Sequence, residues 1–220
     1  MELLSKAGWL ATTSPAFRQA VLSRCDAISV RAGDVIYRSE EATGGLFGVT
    51  SGKIELHLPG LRDGHTLCHI GGPGYWFGDL AALSGLPRRF DVVAGSHCVV
   101  ARLPRAELQR VLDNEPVGWW SVALLVHGNL DLAFPVVEAL KQQAPAARIA
   151  LSLRNLVGTA RDIPHRITAT QAEIAAIAGL SRRVANTILH RLEAAGVIRM
   201  GYGWIDVMVE ASQIVRHAPE

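Results

Sequence analysis

The chain has 220 residues, 49% of them apolar, with 22 Lys+Arg against 20 Asp+Glu and a net charge of +2. That length fits one large or two modest domains, and the apolar share allows a real core. No apolar run reaches the roughly 18 residues a membrane span needs without a charge, Gly or Pro, and no secretory leader pattern opens the chain. Cys25, Cys68 and Cys98 lie far apart and are odd in number, which fits a reducing, cytoplasmic setting better than a disulfide framework.

Residues 2–26 read as helical. Leu3, Leu4, Trp9 and Leu10 come first; Ser14-Pro15 then supplies a cap and a first helical residue. Phe17, Val21 and Leu22 follow as an apolar stripe. Over 27–103 the rhythm changes to short β-branched or alternating runs at 27–31, 34–38, 45–50, 53–58, 66–70, 92–94 and 98–103, separated by glycine-bearing turns. Many strands at short intervals predict a sandwich or barrel, with a tight hairpin at Asp63-Gly64.

Residues 75–91 interrupt the strands. Gly78 lets backbone approach a ligand closely, 79–83 has room for one or two helical turns, and Arg88-Arg89 follows. A helix N-terminus beside an arginine can hold a phosphate, although the same residues also describe a loop with a solvated Arg pair.

A short helix is predicted over 104–111 and a long one over 116–142. Trp119, Ala123, Val126, Leu130, Ala133, Val137 and Leu140 alternate spacings of four and three, which is a heptad seam. Leu125, Gly128, Leu132 and Pro135 form a second apolar or small stripe. Two such faces let one helix pack on its own domain and on a twin, predicting a homodimer; packing inside one domain is the other reading. Pro135 removes the hydrogen bond to the Asp131 carbonyl and should kink or interrupt the helix. The sequence thus divides into 1–115, a dimerisation helix and hinge over 116–144, and 145–220.

The last segment carries the most specific pattern. Thr170 with Glu173 makes a capping box, and Ile174 and Ile177 give an apolar face. Gly179 makes the turn and Ser181 caps a second helix, in which Val184, Ile188 and Leu192 are predicted to face inward. Arg182, Arg183, Asn186, Thr187 and Arg191 are left facing out. Two helices around a glycine turn, the second with a basic, amide-bearing outer face, predict a helix-turn-helix for double-stranded DNA. Arg reads guanine or phosphate and Asn reads adenine. Residues 197–199 and 204–207 around Gly201-Tyr202-Gly203 add a hairpin, the wing. The charge agrees: 145–220 holds 9 Lys+Arg against 6 Asp+Glu, while 1–144 holds 13 against 14. The competing description is a pair of ordinary amphipathic helices with a solvated face.

Strands, long helix and winged helix in this order resemble the CRP/FNR family of bacterial transcription regulators. The likeness runs through Arg31-Ala32-Gly33-Asp34-Val35-Ile36-Tyr37, Gly52-Lys53-Ile54, Phe77-Gly78-Asp79-Leu80-Ala81, Leu86-Pro87-Arg88, Gly179-Leu180-Ser181-Arg182 and 192–198. It implies an α+β chain: an N-terminal jelly-roll-like β-roll that senses a small effector, a dimerisation helix, and a C-terminal winged helix-turn-helix. It also implies contact with RNA polymerase if the protein is an activator. The family's nucleotide pocket maps onto Gly78, Asp79, Leu80, Arg88, Arg89 and Phe134. Gly78 and Arg88 match the residues near the phosphate. Asp79 stands for the ribose-binding Glu, Arg89 for a Ser or Thr, Phe90 for an Ala, and Ala133-Phe134 for the polar pair that reaches adenine. These changes disfavour cyclic AMP and leave open another effector, another nucleotide, or a ligand-free roll with constitutive DNA binding. At the recognition helix the family's frequent Glu and second Arg become Arg183 and Thr187, so the half-site should differ.

No cofactor is required by these residues. Three scattered thiols cannot supply an iron–sulfur cluster. His57, His65, His69 and His97 lack the close spacing of a cupin-like metal enzyme, so catalysis is not expected. His65 and His69 with Cys68 are a formal metal or haem set that strand side chains explain as well.

Overall fold

The computed structural model describes residues 1–42, 44–60, 64–158 and 163–217. Its contacts divide the chain into two compact units, one of residues 1–65 and 70–129, the other of 66–69 and 130–220.

In the first unit, α1 (Glu2–Lys6) and α2 (Pro15–Leu22) precede the strands. The Ser14 side chain accepts from the Phe17 N–H and Pro15 occupies the first turn, as the sequence predicts. Two antiparallel four-stranded sheets follow. One has the order β1 (Asp26–Val30), β8 (Cys98–Leu103), β3 (Leu46–Ser51), β6 (Trp76–Phe77). The other has β2 (Val35–Tyr37), β7 (Asp91–Ala94), β4 (Ile54–Pro59), β5 (His65–Gly71). Non-consecutive neighbours in both sheets make the roll that the resemblance implies. The hairpin turn expected at Asp63-Gly64 falls on residues 61–63, outside the described residues. Helix α3 (Asp79–Ser84) stands between β6 and β7, and α4 (Arg105–Asn114) follows β8.

The single long helix expected over 116–142 is two: α5 (Gly118–Asp131) and α6 (Ala133–Lys141). Leu132 between them keeps helical dihedrals, φ −68° and ψ −21°. An interruption is expected where Pro135 offers no N–H to Asp131. Val122 and Leu125 of α5 join the core of Leu4, Leu10, Phe17, Trp76, Leu103 and Leu112. The second stripe is therefore only partly correct. Leu125 is buried and Leu132 and Pro135 are half-buried, but Gly128 is exposed; the packed face runs through 118, 122, 125 and 129 instead. Taken as one stretch, Gly118–Lys141 is long and apolar enough, by length and composition, to cross a membrane. The residue-by-residue test on charge, Gly and Pro had excluded such a span; here Gly128, Asp131, Pro135 and Glu138 interrupt the run.

In the second unit, α7 (Pro145–Val157) lies among α8 (Gln171–Ile177), α9 (Arg182–Ala194) and α10 (Ala211–Ile214). A three-stranded sheet has the order β10 (Ile198–Gly201), β11 (Trp204–Val207), β9 (His165–Ile167). The hairpin was legible; β9, three residues long, was not.

Candidate nucleic-acid interface and effector pocket

The turn between α8 and α9 follows from local chemistry. Thr170 accepts from the Glu173 N–H while Glu173 accepts from the Thr170 N–H, completing the capping box. At the other end Gly179 takes φ +62°, its N–H bonds to Ala176 O and the Leu180 N–H to Ala175 O. That is the paired bonding of a glycine-closed helix end. A Cβ at Gly179 would also lie 2.5 Å from an Arg148 Nη. Ser181 then starts α9 by accepting from the Val184 N–H.

The buried face of α9 is Ala185, Ile188, Leu189 and Leu192. Two sequence assignments change here. Val184, predicted to face inward, is 38% exposed. Residues 185, 188, 189 and 192 share one helical face, and position 184 falls beside it. Asn186, predicted to face out, is half-buried, and its Oδ1 is buried without a partner among the described residues. Arg182, Arg183, Thr187 and Arg191 are exposed, and so is His190, which the sequence reading missed although it lies three residues beyond Thr187. None of the three arginines has an ion-pair partner among the described residues. Thr170 is also exposed, with its hydroxyl engaged in the cap.

The wing is held by one carboxylate. Asp206 on β11 is 2% exposed and accepts from Arg166 on β9, at 2.7 and 2.9 Å, and from Arg199 on β10 at 2.9 Å. Arg166 also stacks over the Trp204 ring at 4.2 Å. The Arg166 hydrogen bonds, with Arg199 adding to them, hold the Asp206 carboxyl well below the usual carboxylate range. Asp206→Asn should therefore cost about 1–3 kcal/mol. The contribution is complete above the ordinary carboxylate pKa of about 4 and is lost as pH falls towards the lowered folded value. Urea midpoints between pH 7 and pH 3 check this: the wild type should weaken across the acid limb and the variant should weaken less.

In the roll, Arg88 is 2% exposed. Its guanidinium donates to Gly45 O at 2.8 Å and Gly78 O at 3.1 Å, and lies 4.2 Å over the Tyr37 ring. Its Nε is buried without a partner. Gly78, at φ +86°, precedes α3; a Cβ there would meet Arg88 Nη1 at 2.5 Å. The close approach expected of Gly78 is thus made by Arg88. Asp79 is buried. Its Oδ1 accepts from Asn129 Nδ2 at 3.0 Å, while Oδ2 has no partner of good hydrogen-bond geometry among the described residues. Burial pushes this carboxyl up, partly offset by the Asn129 hydrogen bond. Leu80 and Arg89 are exposed and Phe90 is half-buried; Phe134, 60% exposed, belongs to the second unit.

The heptad seam is largely uncovered in the single chain. Trp119 is 47% exposed, Leu130 53%, Val137 51% and Leu140 70%. Ala123 and Ala133 are also exposed, and Val126 is half-buried. Among the described residues no three His, Cys, Asp or Glu cluster as metal ligands. His65 instead sits 2.8 Å from Asp91. Burial pushes the Cys25 thiol up to about 12, which leaves little thiolate for a redox switch.

A cyclic nucleotide-binding domain is matched over residues 27–115 and a Crp-like helix-turn-helix domain over 147–210. A cyclic AMP receptor protein from Thermus thermophilus is 27% identical over 179 residues, 80% of either chain. The chain belongs to the CRP/FNR family of transcription regulators. Among solved structures, the catabolite activator protein of Thermus thermophilus is similar over 96% of this regulator and 97% of its own chain, at 25% identity and a TM-score of 0.54. FixK2 from Bradyrhizobium japonicum shares the fold over 89% of this chain and 98% of its own, at 19% identity and a TM-score of 0.74. The helix-turn-helix match implies DNA as the ligand of this regulator, and α9 is the second helix of that motif. Three contacts of Arg88 and Asp79 escaped the sequence reading: Gly45, Tyr37 and, on α5, Asn129. Only Asn129 left a signal, as a lone amide on the buried 118–122–125–129 face of α5.

Proposed function

We propose that the protein is a cytoplasmic homodimer that lays α9 of each copy into successive major grooves of an operator with two half-sites. The half-sites lie about one helical turn, roughly 34 Å, apart. Arg182, Arg183 and Arg191 take guanine or phosphate, and Ser181, Thr170, Asn186 and Thr187 flank them. The observation that carries this reading is the outer face of α9, where three exposed arginines have no ion-pair partner among the described residues, on a helix capped at Ser181. The uncovered apolar seam supports the dimer, because exposed apolar patches of that kind mark association surfaces. RNA polymerase becomes a partner if the regulator activates.

A small effector in the roll sets DNA affinity by shifting the population of dimer arrangements. Two buried polar atoms support this: Arg88 Nε, a donor, and Asp79 Oδ2, an acceptor, neither with a partner of good hydrogen-bond geometry among the described residues. A buried group left so costs about 1–3 kcal/mol, which a ligand carrying both an acceptor and a donor would recover. Cyclic AMP fits poorly, since Asp79 is a methylene shorter than the ribose-binding Glu it stands for and one of its oxygens is engaged by Asn129. The second reading is a ligand-free roll, favoured by the way Arg88 fills the cradle at Gly78. Arg182→Ala tests the DNA reading. On a selected operator it should weaken binding by about 1–3 kcal/mol and relax specificity at one position; unchanged affinity and specificity by gel shift would remove Arg182 from the interface.

A further inference from the structure

We infer that Val184 and Thr187 form a methyl-reading pair, so that the half-site presents a thymine 5-methyl group to them, beside the guanine or phosphate taken by Arg183 and Arg191. This rests on α9 acting as the groove helix. Val184 is 38% exposed, while the apolar residues of the buried face, Ala185, Ile188, Leu189 and Leu192, are at most 6% exposed. A valine placed there on a helix built to meet DNA has no core role to explain it. Thr187 lies three residues on, on the same side of the helix. Its Oγ1 donates to the Arg183 carbonyl at 3.1 Å, so its proton is spent within the helix and it keeps a methyl and acceptor lone pairs for a base edge. Together the two side chains make a short apolar strip between guanidinium groups.

Only one major-groove edge offers an apolar counterpart. Guanine, adenine and cytosine present donors and acceptors, and thymine alone adds a methyl. For cytosine, whose N4 donor needs an acceptor, the pair offers only the lone pairs of Thr187 Oγ1. The one carboxylate on α9, Glu193, accepts from the Met200 N–H at 2.8 Å and lies 3.5 Å from His190.

The test uses the full-length protein and duplexes enriched by it from a randomised library at low salt. Each dT of the enriched sequence is replaced in turn by dU, which removes only the methyl. One position per half-site should then weaken wild-type binding about fourfold, equivalent to about 0.8 kcal/mol for one methyl-sized group. Val184→Ala should bind the dT duplex about fourfold less tightly and respond little to that dU; Thr187→Val, which keeps the methyl, should still discriminate. A dU scan that is silent throughout, or Val184→Ala retaining the full response, overturns the inference while leaving the groove helix in place. Failure to enrich any duplex overturns the groove helix itself, and the methyl reading with it.

Discussion

Leu130→Glu should fold normally yet bind a two-half-site operator about 10²–10⁴-fold more weakly than wild type. The first half of that expectation follows from exposure: Leu130 is 53% exposed in the single chain, so a carboxylate there meets water and not the core. Leu125, 4% exposed and packed in the roll, would not serve, because any change there tests the fold. The second half follows from symmetry. In a two-fold interface the same patch meets itself, so one substitution places two carboxylates on facing surfaces. Burying them without partners costs several kcal/mol each, enough to dissociate an ordinary interface. Dissociation then removes the advantage of linking two recognition helices, worth about 10²–10⁴ in affinity without any new contact. Sedimentation should show a monomer, and affinity for an isolated half-site should be unchanged. A dimeric Leu130→Glu with full operator affinity would place the interface elsewhere.

What the sequence discloses tracks how local its physics is. The capping box at Thr170, the glycine closure at Gly179 and the Ser181 cap involve residues a few positions apart, and each appears as read. Most strand positions were legible for the same reason, through alternation and turn residues; the short β6 and β9 were not. Errors arise where the answer depends on what lies across space. Val184 and Ala185 are adjacent apolar residues, and a spacing of four from Ile188 selects Val184; only the direction of the neighbouring helices selects Ala185. Pro135 announced a break in the long helix, but not that Leu132 would keep helical dihedrals through it. In the roll, the motif singled out Gly78, Asp79 and Arg88, and the Arg88 guanidinium does bond to Gly78 O. It could not show Arg88 turning inward onto the carbonyls of Gly45, 43 residues away. Nor could it show Asn129 reaching Asp79 across 50 residues. Long-range partners of polar atoms leave no periodic trace.

Arg88→Met separates the two readings of the roll, and its expected cost is large: about 2–5 kcal/mol of stability. Methionine keeps an unbranched chain of similar reach but no donor. Gly45 O then loses the hydrogen bond that Arg88 makes at 2.8 Å and is left bare, at about 1–3 kcal/mol, while Gly78 O loses the bond at 3.1 Å but keeps the Ala82 N–H, at about 0.5–1.5 kcal/mol. The stack over Tyr37 is lost as well, about 1–2 kcal/mol. Relief from burying a charge offsets part of this, so the sum lies below the total of the losses. Urea denaturation measures it. The functional half of the experiment adds cyclic AMP or cyclic GMP to wild type and variant. A ligand at about 100 times its dissociation constant stabilises the protein by about 2.7 kcal/mol, a shift readily seen in thermal unfolding. If the roll binds an anionic nucleotide through Arg88, the wild type shifts and the variant does not. If neither shifts, and operator affinity is the same for both without ligand, then the guanidinium is a structural plug between Gly45 and Gly78. The regulator would then bind DNA without a cyclic-nucleotide signal from its roll.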